Sequence, residues 1–149
     1  MDERTLAEIA AWAVLAANAV AGAFAGWRWW RVEPSDAVWP LLRAAQAVAV
    51  GQALVAGVLF ALGYEPSDGL YWLYALLPVA IGLIAEQLRI ASAEQVLENR
   101  DLPDAQAVGG LPEAEQRSVV LAIVRREIGV MALAALVVAF LALRAALIA

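Results

Sequence analysis

Glu127-Ile128-Gly129-Val130-Met131-Ala132-Leu133-Ala134-Ala135-Leu136-Val137-Val138-Ala139-Phe140-Leu141-Ala142-Leu143-Arg144 decides what kind of protein this chain is. No charge lies between the bracketing Glu127 and Arg144, and residues 9–26, 44–63 and 70–85 are equally free of charged side chains. A helix rises about 1.5 Å per residue, so roughly 20 apolar residues cross a hydrocarbon core about 30 Å thick. Shorter runs suffice where flanking Arg and Glu side chains carry their charged heads out to the interface. The four runs therefore predict an all-α, integral membrane, four-helix antiparallel bundle. Its spans lie near 6–27, 38–63, 69–90 and 119–146, within a single domain covering 1–149. Residues 91–118 form a cytoplasmic helical hairpin or cap between spans three and four.

Composition agrees. Hydrophobic residues make up 64% of the chain, against about 45–50% in soluble domains, and the mean hydropathy is +0.73. Cysteine and histidine are absent, which removes disulfides, the common ligands of transition metals and haem, and mechanisms using a Cys nucleophile or a His base. No metal, cofactor or catalytic set is expected. The net charge is −5, so no nucleic-acid surface is expected either. All ten basic residues are arginine, a bias typical of GC-rich coding and suggestive of a bacterial plasma (inner) membrane.

Met1-Asp2-Glu3-Arg4 is not the basic leader of a secretory signal, so the first run is expected to persist as a span. Thr5 and Glu8 have the spacing of a capping box. Asn18, Gly22 and Gly26 recur every four residues beside Ala17, Ala21 and Ala25, a small-residue face that allows close helix approach. Trp27-Arg28-Trp29-Trp30-Arg31 closes the span with the aromatic–basic composition of a headgroup boundary, and Trp39 and Arg43 repeat it. Span two carries a small stripe of its own, Ala53, Gly57 and Ala61. Ser35 or Asp36 is expected to cap it, and Ser67 or Asp68 to cap span three. Pro78 predicts a kink. Asp101-Leu102-Pro103 reads as a helix restart, Gly109-Gly110 as a stop and Pro112 as the start of the last helix.

Arginine placement sets the expected orientation. Arg28, Arg31, Arg43, Arg89, Arg100, Arg117, Arg125 and Arg126 fall on one side, leaving only Arg4 and Arg144 on the other. The positive-inside rule then places 27–43 and 86–127 in the cytoplasm and both termini outside.

Three groups are candidate sites. Glu86, Arg89, Arg125, Arg126 and Glu127 form a charged shoulder. At helical rise, Glu86 lies about 24 Å and Arg89 about 28 Å below Leu70, at the inner interface. The group reads either as a buried network, with Glu86 facing Arg125 or Arg126, or as charges marking the bilayer edge. Asn18, about 13 Å from the outer end of span one, and Gln52, about 12 Å from the inner end of span two, are at matching depth. They read as an intramembrane pair that satisfies both amides, or as the lining of a polar path. Arg28, Arg31 and Arg43 form a candidate lipid-headgroup rim, the alternative being plain anchoring.

The expected function is a non-enzymatic accessory subunit or scaffold acting through helix–helix association. Membrane lipids and either further copies of the chain or a larger complex are its partners. The alternative is a small oligomeric channel or transporter using Asn18, Gln52 and the shoulder, with an enzyme third.

Overall fold

The computed structural model describes residues 2–149. Five helices follow in order: α1 (Glu3–Arg31), α2 (Val38–Leu62), α3 (Leu70–Glu98), the single turn α4 (Ala105–Val108) and α5 (Glu113–Ile148). Helix makes up 83%, with no strand among the described residues. The four long helices are each long and apolar enough to cross a membrane.

Both helices that flank the polar connection run past their apolar parts: α3 extends to Glu98 and α5 begins at Glu113, so only 99–112 lie outside the long helices. Good helix formers such as Gln95, Leu97 and Glu98 carry α3 beyond its apolar part. The restart comes later than 101–103 suggests. Asp104 caps α4 by accepting from the Ala107 amide at 2.9 Å, and Gly109 and Pro112 bound α4 and α5 as expected.

Capping differs in detail from the sequence expectation. Asp2, and not Thr5, caps α1, with its Oδ1 accepting from the Thr5 amide at 2.8 Å. Neither Ser35 nor Asp36 caps α2, whose N-cap Ala37 has no side-chain bond. Asp68 accepts from the Leu70 amide at 2.9 Å, while the Ser67 hydroxyl donates to the Ile148 carbonyl at 2.8 Å. Ser67 thereby ties the α2–α3 turn to one of the carbonyls that the end of α5 leaves unpaired. Pro78 is buried within an unbroken α3.

Packing makes α5 the spine. Its contacts with α1 and α3 are the most extensive, those of α1 with α2 come next, and α2 against α3 is the thinnest neighbouring pair. Half of the most apolar window of α5 is buried (50%), against 17% for that of α3. The α1–α5 seam needs two glycines. A Cβ on Gly22 would lie 3.0 Å from the Leu136 side chain and 3.1 Å from its backbone nitrogen, and one on Gly129 would lie 2.8 Å from Trp29 Nε1. Gly26 and the α2 glycine Gly57 face open space, and of the small stripe in α1 Asn18, Ala21, Gly22 and Ala25 are buried. The core falls into three clusters. One joins Ala25, Leu42, Ala85 and Met131, one joins Val14, Ala49 and Val138, and one joins Ala11, Leu59, Tyr71 and Ala145.

Candidate functional site

The shoulder assembles around Glu86. Arg43 and Gln46 lie one turn apart on α2, and Glu86 and Arg89 one turn apart on α3, so each pair shares a helix face. Glu86 Oε1 accepts from Arg43 Nη1 at 2.6 Å and from Gln46 Nε2 at 3.0 Å. Its Oε2 accepts from Arg43 Nη2 at 3.3 Å and from Arg89 Nε at 3.2 Å. Arg43 Nη1 also donates to Gln46 Oε1 at 2.8 Å. Arg89 continues the chain to α5, donating from Nη1 to Glu127 Oε1 at 3.2 Å, and its guanidinium sits 5.4 Å from the Trp39 ring centroid. Two arginines thus balance two carboxylates across three helices. Removing one member of such a partly buried set leaves a charge uncompensated, which costs more than the intact pairs contribute.

Glu86, Arg89 and Glu127 therefore meet, but the pairing expected between Glu86 and Arg125 or Arg126 does not form. The Glu86 carboxylate is turned to α2. Arg125 stacks on Trp29 of α1 at 5.4 Å, and Arg126 donates to Gln95 Oε1 at 2.8 Å. The arginine rim divides as well. Arg28 and Arg31 reach Glu33 at 3.3 Å and 3.6 Å, whereas Arg43 belongs to the Glu86 cluster. Arg43, Gln46 and Trp39 complete the network without having been grouped with it in the sequence. The available signal was the Arg-x-x-Gln spacing at the start of α2, where Arg43 borders an apolar run as Glu86 does.

Asn18 and Gln52 are both buried, at 3% and 2% exposure, yet they do not bond each other. Asn18 Nδ2 donates to the Val14 carbonyl at 3.1 Å and across to the Ala45 carbonyl of α2 at 3.3 Å. Neither amide atom of Gln52 has a hydrogen-bond partner among the described residues. Gln52 lies two turns beyond Ala45 along α2, and the Asn18 amide nitrogen bonds to backbone instead.

Beside the Glu86 cluster, the thin α2–α3 seam opens into a groove of about 220 Å³. Arg43, Gln46 and Glu86 line one end of it. The rest is apolar, including Val50, Pro78, Leu83, Met131 and Val138, apart from the already bonded Asn18. The arrangement can hold opposite charges side by side above an apolar slot. Both shoulder carboxylates are engaged by arginine, which leaves neither as a free base. Among the described residues, no group of three or more His, Cys, Asp or Glu side chains could hold a metal ion. No family model, curated protein or solved structure matches this chain.

Proposed function

We propose that the chain is a non-enzymatic integral membrane subunit that works through helix–helix association. Its four long helices would cross a bacterial plasma membrane antiparallel to one another, with both termini outside and 27–43 and 86–127 in the cytoplasm. The core clusters support that arrangement. The start of α1 shares a cluster with the ends of α2 and α5 and the start of α3, and the end of α1 shares one with the start of α2 and the middle of α3 and α5.

The observation that carries association is the uneven wrapping of the helices. α3 buries 17% of its apolar window where α5 buries 50%, and Leu73, Leu76 and Ile84 stand exposed on one side of it. Membrane helices associate through packing contacts, and α3 has the most side-chain surface left to supply them. Single cysteines at Leu76 and Ile84 are expected to form intermolecular or partner crosslinks in native membranes, with Val20 on the outer face of α1 as the comparison. A strictly monomeric protein with no crosslink at either α3 position would overturn the proposal.

A second reading, a small oligomeric channel or transporter, is favoured by one observation, the unpartnered amide of Gln52. It is tested with the Gln52 variant described in the Discussion.

A further inference from the structure

We infer that the α2–α3 groove is a binding site for one acyl chain of a zwitterionic phospholipid, with the headgroup held by Arg43 and Glu86. The inference rests on membrane insertion of the bundle, and it is independent of the contact face proposed for α3.

The shape of the groove argues for a chain. Its volume, about 220 Å³, falls below the roughly 300 Å³ at which pockets for compact drug-sized ligands begin. It lies at the seam between two helices, and the residues at its lips, Val50 and Leu83, are exposed apolar side chains. In a bilayer such a seam opens to hydrocarbon. Polar side chains gather at one end, and that end lies within about one turn of Trp39, where indole and guanidinium mark an interfacial level. A molecule that fits must have a polar head at the Arg43 end and an apolar chain running along α2 past Val50. Membrane lipids have that polarity and enter from the side.

Charge selects the headgroup. Arg43, Arg89, Glu86 and Glu127 sum to zero, so the mouth offers no net attraction to a net-anionic lipid. It does offer a paired cation and anion 2.6 Å apart. Arginine carries five N–H donors. Nη1 and Nη2 of Arg43 serve Gln46 and Glu86, Nε has no partner among the described residues, and the side chain is 52% exposed. A phosphate accepts from the free Nε of that guanidinium, while an ammonium takes the place of the neutral Gln46 amide on Glu86 Oε1, since each Glu86 oxygen already accepts two bonds. Phosphatidylethanolamine carries both groups on one headgroup.

Gly82 supplies the test. It lines the groove, and a Cβ built on it meets nothing within 4 Å. A larger side chain there starts from an unobstructed Cβ at the wall of the slot. The full-length protein is reconstituted in mixed phosphatidylethanolamine and phosphatidylglycerol vesicles, and resistance to alkaline extraction confirms insertion. Trace phosphatidylethanolamine or phosphatidylglycerol bearing a mid-chain diazirine is then photolysed and its adducts mapped. Adducts are expected at Val50, Leu83 and Met131, with phosphatidylethanolamine preferred. Gly82→Phe should lower them about tenfold, and Val50→Trp, which changes only the lip, should do the same. Gly26→Phe, placed in open space on α1, should leave them unchanged. Arg43→Gln and Glu86→Gln should each abolish the headgroup preference. Adducts spread evenly over all four helices, labelling unaffected by Gly82→Phe and Val50→Trp, equal labelling by phosphatidylglycerol, or a second copy of the chain crosslinked in the groove would each overturn the assignment.

Discussion

Val32 shows how a single backbone conformation closes α1. Its amide donates to the Trp29 carbonyl at 3.2 Å and the Glu33 amide to the Arg28 carbonyl at 3.2 Å, with Val32 left-handed at φ 54°. The same bond pair recurs at Gly63 and Tyr64 after α2, and at Asp101 and Leu102 after α3. This is the Schellman arrangement, which favours glycine because a Cβ in the left-handed region costs about 1–2 kcal/mol. Gly63 meets that preference and Asp101 is tolerated there, but a β-branched valine is strained. Val32→Gly is therefore expected to stabilise the protein by about 1 kcal/mol, read as a raised unfolding midpoint in detergent. Gln52 is the other strained point, through unmet hydrogen bonding and not through backbone. An unpartnered buried amide costs about 1–3 kcal/mol, so Gln52→Leu should also raise the midpoint. In liposomes the same variant separates the two functional readings, since a channel that uses Gln52 must change its ion flux.

At the scale of the helix, α1 and α5 depend on what is missing from Gly22. With Leu136 backbone 3.1 Å from the site of its Cβ, a leucine cannot be housed by moving a flexible side-chain end. Gly22→Leu should push the two helices apart and cost about 1–3 kcal/mol, the range for overpacking. Gly26→Leu adds the same bulk one turn later, where nothing lies within 4 Å, and should leave the unfolding midpoint almost unchanged. Equal losses from the two would show that the close approach at Gly22 does not govern this face, since helix propensity favours leucine over glycine at both positions. The charged cluster is also a property of elements. Each helix contributes side chains with short internal spacing, and Arg89 joins α3 to α5 only because both helices run past their apolar parts.

At the scale of the molecule, α5 gathers α1 and α3 around it while α2, which scarcely meets α5, has only a thin seam with α3. That asymmetry produces both the open groove and the exposed side of α3. It also leaves the arginines of the first connection near those at the start of the α5 apolar run, as the stacking of Arg125 on Trp29 records. Cysteine replacements at Asp2 and Ala105 test the resulting orientation. In intact cells a membrane-impermeant reagent is expected to label position 2 and spare position 105. Labelling of 105 from outside would invert the topology.

The number of long helices, their approximate bounds and the level of the charged residues were all legible in the chain, because each depends on local quantities. Apolar run length sets whether a helix can cross hydrocarbon, and charge marks where the apolar part, though not the helix, ends. Gly109 and Pro112 ended and began helices as read. Partner choice was not legible. Whether Glu86 meets Arg43 or Arg126, and whether Asn18 meets Gln52 or a backbone carbonyl, depends on the rotation of each helix about its axis. That rotation is set by side-chain packing such as Gly22 against Leu136, and not by run length. The charged shoulder was therefore visible as a level along the bundle. Its identity as an Arg43–Glu86–Arg89–Glu127 chain, with a groove beside it, was decided by the tertiary structure.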